Sequence, residues 1–84
     1  MIIEDHSLVN EFPHDKRLIE ELNLTDNQFH KLFNDYHELD REVHRIEEGI
    51  EVSDDAYLEN LKFRRVTLKD TLFNALQQAK NKIN

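Results

Sequence analysis

Hydrophobic residues recur at helical spacing through the middle of the chain. Between residues 26 and 48 they fall every three or four positions, at Phe29, Leu32, Tyr36, Leu39, Val43 and Ile46. Because an α-helical turn takes about 3.6 residues, these side chains line one face of a single helix. The pattern predicts an amphipathic helix over residues 26–48, with Phe33 widening its apolar face near the N-terminal end.

A second long amphipathic helix is predicted over residues 54–81. Its main apolar stripe is interrupted by Arg65 and consists of Leu58, Leu61, Leu68, Leu72 and Ala75/Leu76. Gly49 suits the left-handed conformation that ends a helix, and Ser53 is a favourable N-cap for the helix that follows. A connection this short between two long helices requires them to run antiparallel.

The N-terminal part of the chain shows less regular patterning. Residues 1–12 have no sustained period and are predicted to be a loosely ordered or loosely docked lead-in, with a short turn of helix as one option. Pro13 begins a predicted short helix over residues 13–23, whose apolar edge is Leu18, Ile19 and Leu22. Thr25 and Gln28 have the spacing of a capping box at the start of the first long helix.

These elements predict an all-α fold for one domain over residues 1–84: an antiparallel two-helix hairpin, coiled-coil-like, with a short N-terminal helix. Symmetry about a turn near Glu51 places Leu61 beside Leu39 and Arg65 opposite Tyr36. Arg65 is then within reach of Asp40, so the register predicts an ion pair across the seam between the two helices.

The second long helix carries another apolar face away from the seam. It is formed by Phe63, Val66 and Phe73, which we call the apolar face. The short helix is expected to cover Phe73 with its own apolar edge, leaving Phe63 and Val66 uncovered. A chain with so thin a core is expected to associate through this face, either with itself as a homo-oligomer, which we favour, or with an unidentified protein.

Composition excludes several classes of protein. The chain has no cysteine, so disulfides, thiolate metal sites and cysteine catalysis are absent. It has one Gly and one Pro beside 35% charged residues, which favours long helices over sheets. There is no apolar run long enough to cross a membrane and no basic segment typical of a signal peptide, so we expect a cytoplasmic protein that is not bound to a membrane.

Charge is distributed unevenly along the chain. Residues 1–60 hold 5 basic and 17 acidic residues, whereas residues 61–84 hold 6 basic residues and only Asp70 as an acid. The basic C-terminal helix gives an alternative function, weak binding of nucleic acid. That alternative is less favoured, because the whole chain carries a net charge of −7 and the basic side chains can balance the neighbouring acidic helix.

Histidines and carboxylates are the remaining candidates for chemistry. His37, Asp40 and His44 share one helix face, but most surface spacings of this kind bind no metal. A helical hairpin offers no enclosed pocket in which acid–base groups could be tuned. The sequence therefore predicts a non-catalytic interaction module with no cofactor and no metal site.

Three segments together resemble the YdcH-like family of small bacterial proteins. They are Phe12-Pro13 ahead of a short helix, Phe29-x-x-Leu32-Phe33-x-x-Tyr36-His37-x-Leu39-Asp40, and Leu68-Lys69-Asp70. The resemblance runs from about Phe12 to Leu76. It implies a helical hairpin or short coiled coil in a bacterial cytoplasmic protein, and it supplies no catalytic residues because the family has no known function.

Overall fold

The computed structural model describes residues 7–83, so residues 1–6 of the predicted lead-in lie outside the described part. Within it the chain forms helices and connecting turns. In order these are α1 (Leu8–Glu11), a 3₁₀ helix (Pro13–Asp15), α2 (Lys16–Thr25), α3 (Asn27–Glu47) and α4 (Asp55–Ile83).

The two long helices α3 and α4 pack against each other as an antiparallel hairpin. Near the turn, Leu39 and Val43 of α3 form a buried cluster with Leu61 of α4. At the far end, a second buried cluster joins all four α-helices through Leu8, Ile19, Phe29, Tyr36, Leu72 and Leu76. The predicted all-α hairpin is therefore confirmed, with the periodic apolar residues forming its seam.

The turn between the long helices is built around Gly49, as predicted. Its φ of 79° is the left-handed conformation that ends helices without strain in glycine. The backbone N–H of Ile50 donates to the Arg45 carbonyl over 2.9 Å, which satisfies a carbonyl that the end of α3 leaves without a helical partner.

The prediction of a loosely ordered lead-in is wrong for residues 7–12. Leu8 is 0% exposed in the larger core cluster, and Phe12 packs at its edge. Ser7 caps this single helical turn, since its hydroxyl accepts from the Asn10 N–H over 3.4 Å. A short turn of helix is one option for this segment, but a single turn produces no hydrophobic period, so the pattern alone cannot locate it.

Two predicted helix caps lie one residue too early. Asp26, not Thr25, caps α3, because its carboxylate accepts from the N–H groups of Gln28 and Phe29 at 3.0 and 3.1 Å. Thr25 belongs to α2, which extends beyond the predicted end at residue 23. Asp54 rather than Ser53 accepts from the Tyr57 N–H at the start of α4, over 2.7 Å.

Candidate protein-interaction surface

Helix α4 carries two stripes of side chains on opposite sides. The inner stripe packs into the hairpin seam and consists of Leu58, Leu61, Leu68, Leu72 and Leu76. The outer stripe, with successive spacings of four, three, four and three residues, consists of Glu59, Phe63, Val66, Asp70 and Phe73. This is the heptad spacing found in helix–helix seams, and three of the five positions are apolar.

The apolar members of the outer stripe are exposed to different degrees. Phe63 is 72% exposed, Val66 is 50% exposed and Phe73 is 41% exposed. The Phe12 ring lies on that of Phe73, with 5.5 Å between the centroids, so the residue between α1 and the 3₁₀ helix, and not α2, supplies the ring that covers this position. Phe63 and Val66 therefore form the uncovered centre of the stripe, as the sequence predicted.

A groove of about 570 Å³ lies beside Phe63, between α3 and α4. Leu39 and Leu68 give it an apolar floor, and no residue of α1 or α2 lines it. The remaining lining residues form a mainly acidic rim: Asp35, Glu38, Glu42, Arg64 and Thr67. The groove extends the apolar surface of Phe63 toward the seam on the side that the N-terminal helices leave open.

Glu42 on the groove rim is tied to α4 by Tyr57, whose hydroxyl donates to Glu42 Oε2 over 2.6 Å. This hydrogen bond raises the pKa of the Tyr57 phenol, because the carboxylate binds the protonated phenol and repels the phenolate. The contact joins the two long helices near the turn.

The structure brings Asp40 and Arg65 together across the seam. Arg65 Nη1 donates to Asp40 Oδ1 over 2.9 Å, and the Asp40 side chain is buried. His44 lies on the same carboxylate, with 3.8 Å between its Nε2 and Asp40 Oδ1. The pair is part of the packed seam, where it supports the register of the hairpin and is not available to a ligand.

Most cations of α4 are engaged by carboxylates of the same chain. Besides Arg65, three lysines are bound in this way: Lys62 by Glu47 at 3.2 Å, Lys69 by Glu11 at 3.7 Å and Lys80 by Asp15 at 2.7 Å. Within residues 7–83, Arg64 and Lys82 have no carboxylate within ion-pair distance. The positive charge of α4 therefore holds the hairpin and the N-terminal helices together.

His37 is used by the backbone and is not free to act as a ligand. Its Nδ1 lies 2.8 Å from the Phe33 carbonyl oxygen, and its Nε2 lies 3.1 Å from the Leu8 backbone nitrogen. Since a carbonyl only accepts and an N–H only donates, Nδ1 carries the hydrogen and Nε2 is the acceptor. The ring therefore fixes the start of α1 onto α3.

The trio on one face of α3, His37, Asp40 and His44, is engaged by groups of this chain. His37 is committed to the backbone, while Asp40 and His44 lie in the seam beside Arg65. In the part of the chain that the structure describes, no three His, Asp or Glu side chains are placed to hold a metal ion.

Apolar periodicity alone does not single out the two carboxylates of the outer stripe. Glu59 precedes Phe63 by four residues and Asp70 follows Val66 by four, and both are exposed. Side chains four residues apart on a helix are neighbours, so each carboxylate lies one turn beyond the Phe63–Val66 pair. Their spacing of three or four residues from the apolar positions is visible in the sequence, but a pattern of apolar residues alone does not include acidic positions.

Comparisons with known proteins give one match. A family model described as "Protein of unknown function (DUF465)" matches residues 29–76, which covers α3, the turn and most of α4. No curated protein and no solved structure matches the chain. Among residues 7–83, none of the helices combines the length and the hydrophobicity that crossing a membrane requires.

Proposed function

We propose that this chain, which belongs to the DUF465 family of proteins of unknown function, acts as a non-catalytic protein-interaction module. In this proposal the outer stripe of α4 binds a helix of a partner molecule in the cytoplasm by coiled-coil-type packing. The match over residues 29–76 agrees with the resemblance to the YdcH-like family and includes the whole outer stripe.

The observation that carries the proposal is the exposure of Phe63 and Val66 side by side on α4. Single exposed apolar residues are common on protein surfaces, so neither would be informative alone. Here they lie one turn apart, at heptad spacing, next to an apolar-floored groove. Burying each side chain fully against a partner contributes about 1.5–3 kcal/mol, enough to favour association when several such contacts form.

The surroundings of the stripe support binding rather than catalysis. The groove beside Phe63 is shallow and open to solvent. Its three carboxylates, Asp35, Glu38 and Glu42, all come from α3 and lie beside an apolar floor. Glu42 is already bound by Tyr57. An arrangement of this kind suits contact with a protein surface better than the enclosed pocket that acid–base chemistry needs.

The alternative of nucleic-acid binding through α4 is less well supported. Phosphate contacts need free Lys or Arg side chains, and four of the six cations in residues 61–84 are held by carboxylates of this chain. Arg64 lies on a groove rim that also carries Asp35, Glu38 and Glu42, which would repel phosphates.

Photo-crosslinking in the cells that produce the chain tests the proposal. A photoreactive amino acid replaces Phe63 in one variant and Asn34, an exposed residue of α3, in a control variant. We expect a discrete crosslinked product from position 63 that weakens when Val66→Ser is added. Equal products from both positions, or none from position 63, would contradict the proposal. Circular dichroism of each variant checks that the helices remain intact.

A further inference from the structure

Two carboxylates on the outer stripe restrict what can bind there. Neither Glu59 nor Asp70 has an ion pair or a hydrogen-bonded side-chain partner within residues 7–83. Glu59 lies one turn before Phe63, and Asp70 lies one turn after Val66. A helix that covers the apolar pair therefore also covers both carboxylates. Burying an uncompensated carboxylate opposes binding, so the bound helix must supply a positive charge at each end of the pair.

The chain has no such cation on this stripe. Lys62, Lys69 and Lys80 point toward the seam and the N-terminal helices, where Glu47, Glu11 and Asp15 hold them. Arg64 faces the groove between α3 and α4. The outer stripe therefore contains two acidic residues and no basic residue.

A second copy of the chain is a poor partner for this reason. If two α4 helices pack antiparallel with Phe63 against Val66, each Glu59 faces Asp70 of the other copy. A parallel pair places like charges opposite each other at both positions. Shifting the antiparallel pair so that Phe63 faces Phe73 places Asp70 against Val66, again with no cation. The net charge of −7 on each chain adds to the repulsion.

We infer that the outer stripe binds a cationic amphipathic helix of another protein rather than a second copy of this chain; the inference rests on the proposed function. The bound helix has two apolar residues three positions apart, opposite Phe63 and Val66. It has Lys or Arg four positions outside each of them, opposite Glu59 and Asp70. At about 1.5 Å per residue, the two cations stand about 16 Å apart along its axis.

A charge-reversed copy of the chain can serve as the test partner. In the Glu59→Lys/Asp70→Lys variant, the apolar residues are unchanged and both facing positions become cationic. In the antiparallel register, each introduced lysine then faces Asp70 or Glu59 of the wild-type chain. Sedimentation velocity on each chain alone and on an equimolar mixture, up to about 1 mM, measures the association; weak interfaces need concentrations in this range.

We expect the mixture to form a heterodimer while each chain alone stays monomeric. Raising the salt from about 0.05 to about 0.5 M should weaken the heterodimer at least about tenfold, because the charges lie near the edge of the contact. Phe63→Ser in both chains should abolish it. The control is the Glu20→Lys/Glu21→Lys variant, which makes the same change in net charge at exposed positions of α2. It should not associate with the wild-type chain.

Other outcomes separate the inference from the proposed function. A wild-type dimer that Phe63→Ser abolishes would overturn the inference and leave the outer stripe as a binding surface. The Glu59→Gln/Asp70→Gln variant could self-associate through Phe63 as strongly as the heterodimer forms. That result would show that the bound helix does not need cations and would overturn the inference. If neither the mixture nor the glutamine variant associates, the inference is wrong, whereas a crosslinked product from position 63 would still support the proposed function.

Discussion

The ion pair between Asp40 and Arg65 gives the sharpest prediction about what holds the hairpin together. Asp40 is 6% exposed, whereas 18% of the Arg65 side chain reaches solvent. The two ends of the pair should therefore respond differently to truncation. Arg65→Ala leaves a carboxylate buried without its main partner, and breaking a buried pair in this way costs about 3–5 kcal/mol.

Asp40→Ala should be less damaging. Without Asp40, the guanidinium of Arg65 can move along its flexible stem to water, so the loss is close to that of one charged hydrogen bond, about 2 kcal/mol. The double variant should lose less than the sum of the two single variants, with a coupling of at least about 1 kcal/mol. In Arg65→Ala the imidazole of His44, whose Nε2 lies 3.8 Å from Asp40 Oδ1, is the polar group that remains beside the carboxylate.

Urea unfolding followed by far-ultraviolet circular dichroism measures these free energies. A matched apolar pair, Asp40→Leu/Arg65→Met, fills the same space without charge and should unfold within about 1 kcal/mol of the wild type. Additivity of the two alanine variants within about 0.5 kcal/mol would refute the coupling. A larger loss for Asp40→Ala than for Arg65→Ala would refute the reasoning from burial.

Three further predictions concern the N-terminal turn, the loop and the contact near the loop. Leu8→Ala should destabilise the fold by at least about 2 kcal/mol, because Leu8 is fully buried. His37→Phe removes the acceptor of the Leu8 backbone N–H, so hydrogen exchange of that amide, measured by NMR, should become faster. Gly49→Ala should lower the free energy of unfolding by about 1 kcal/mol, because a Cβ at this position meets no atom within 4 Å and only the φ of 79° is unfavourable. Gly49→Asn should lower it less, because Asn adopts this left-handed conformation more readily. The pKa of Tyr57 should be raised in the wild type and fall toward its ordinary value in Glu42→Gln, as followed by phenolate absorbance. The folded state favours the neutral phenol of Tyr57, so this contact stabilises the fold at pH values below the pKa of Tyr57 in the unfolded chain. Its contribution is lost as pH rises through the pKa of Tyr57 in the folded chain. An unchanged Tyr57 titration in Glu42→Gln would contradict the assignment.

The seam of the hairpin could be predicted from sequence because it depends on period alone. Leu39, Val43 and Leu61 repeat at helical spacing, and the short connection at Gly49 fixes the direction of the second helix. With the direction fixed, simple counting placed Arg65 near Asp40. These features follow from helix geometry and need no knowledge of the other side chains.

The N-terminal docking could not be predicted in the same way. Leu8 is held by a hydrogen bond from its own backbone to His37, a residue 29 positions away, and no local pattern encodes that contact. The caps were misplaced for a related reason. Thr25 and Asp26 are both good caps, and α2 continues through Thr25, whose hydroxyl donates to the Glu21 carbonyl over 2.9 Å, so that Asp26 caps α3.

Only part of the outer stripe was predictable as a site. Phe63, Val66 and Phe73 have an apolar spacing that the sequence shows directly. The importance of Glu59 and Asp70 depends on the absence of a nearby cation, which became visible only when the structure placed Lys62 and Lys69 against Glu47 and Glu11.

The assignment of the outer stripe as a helix-binding surface is tested most directly by an intermolecular NMR measurement. Wild-type chain with labelled valine methyl groups is mixed with unlabelled Glu59→Lys/Asp70→Lys chain. The antiparallel register predicts nuclear Overhauser contacts from the Val66 methyl groups to aromatic ring protons of the other molecule, contributed by its Phe63. Contacts that come instead from the exposed Val52 would show that the chains meet elsewhere, and the outer stripe would not be the surface that binds.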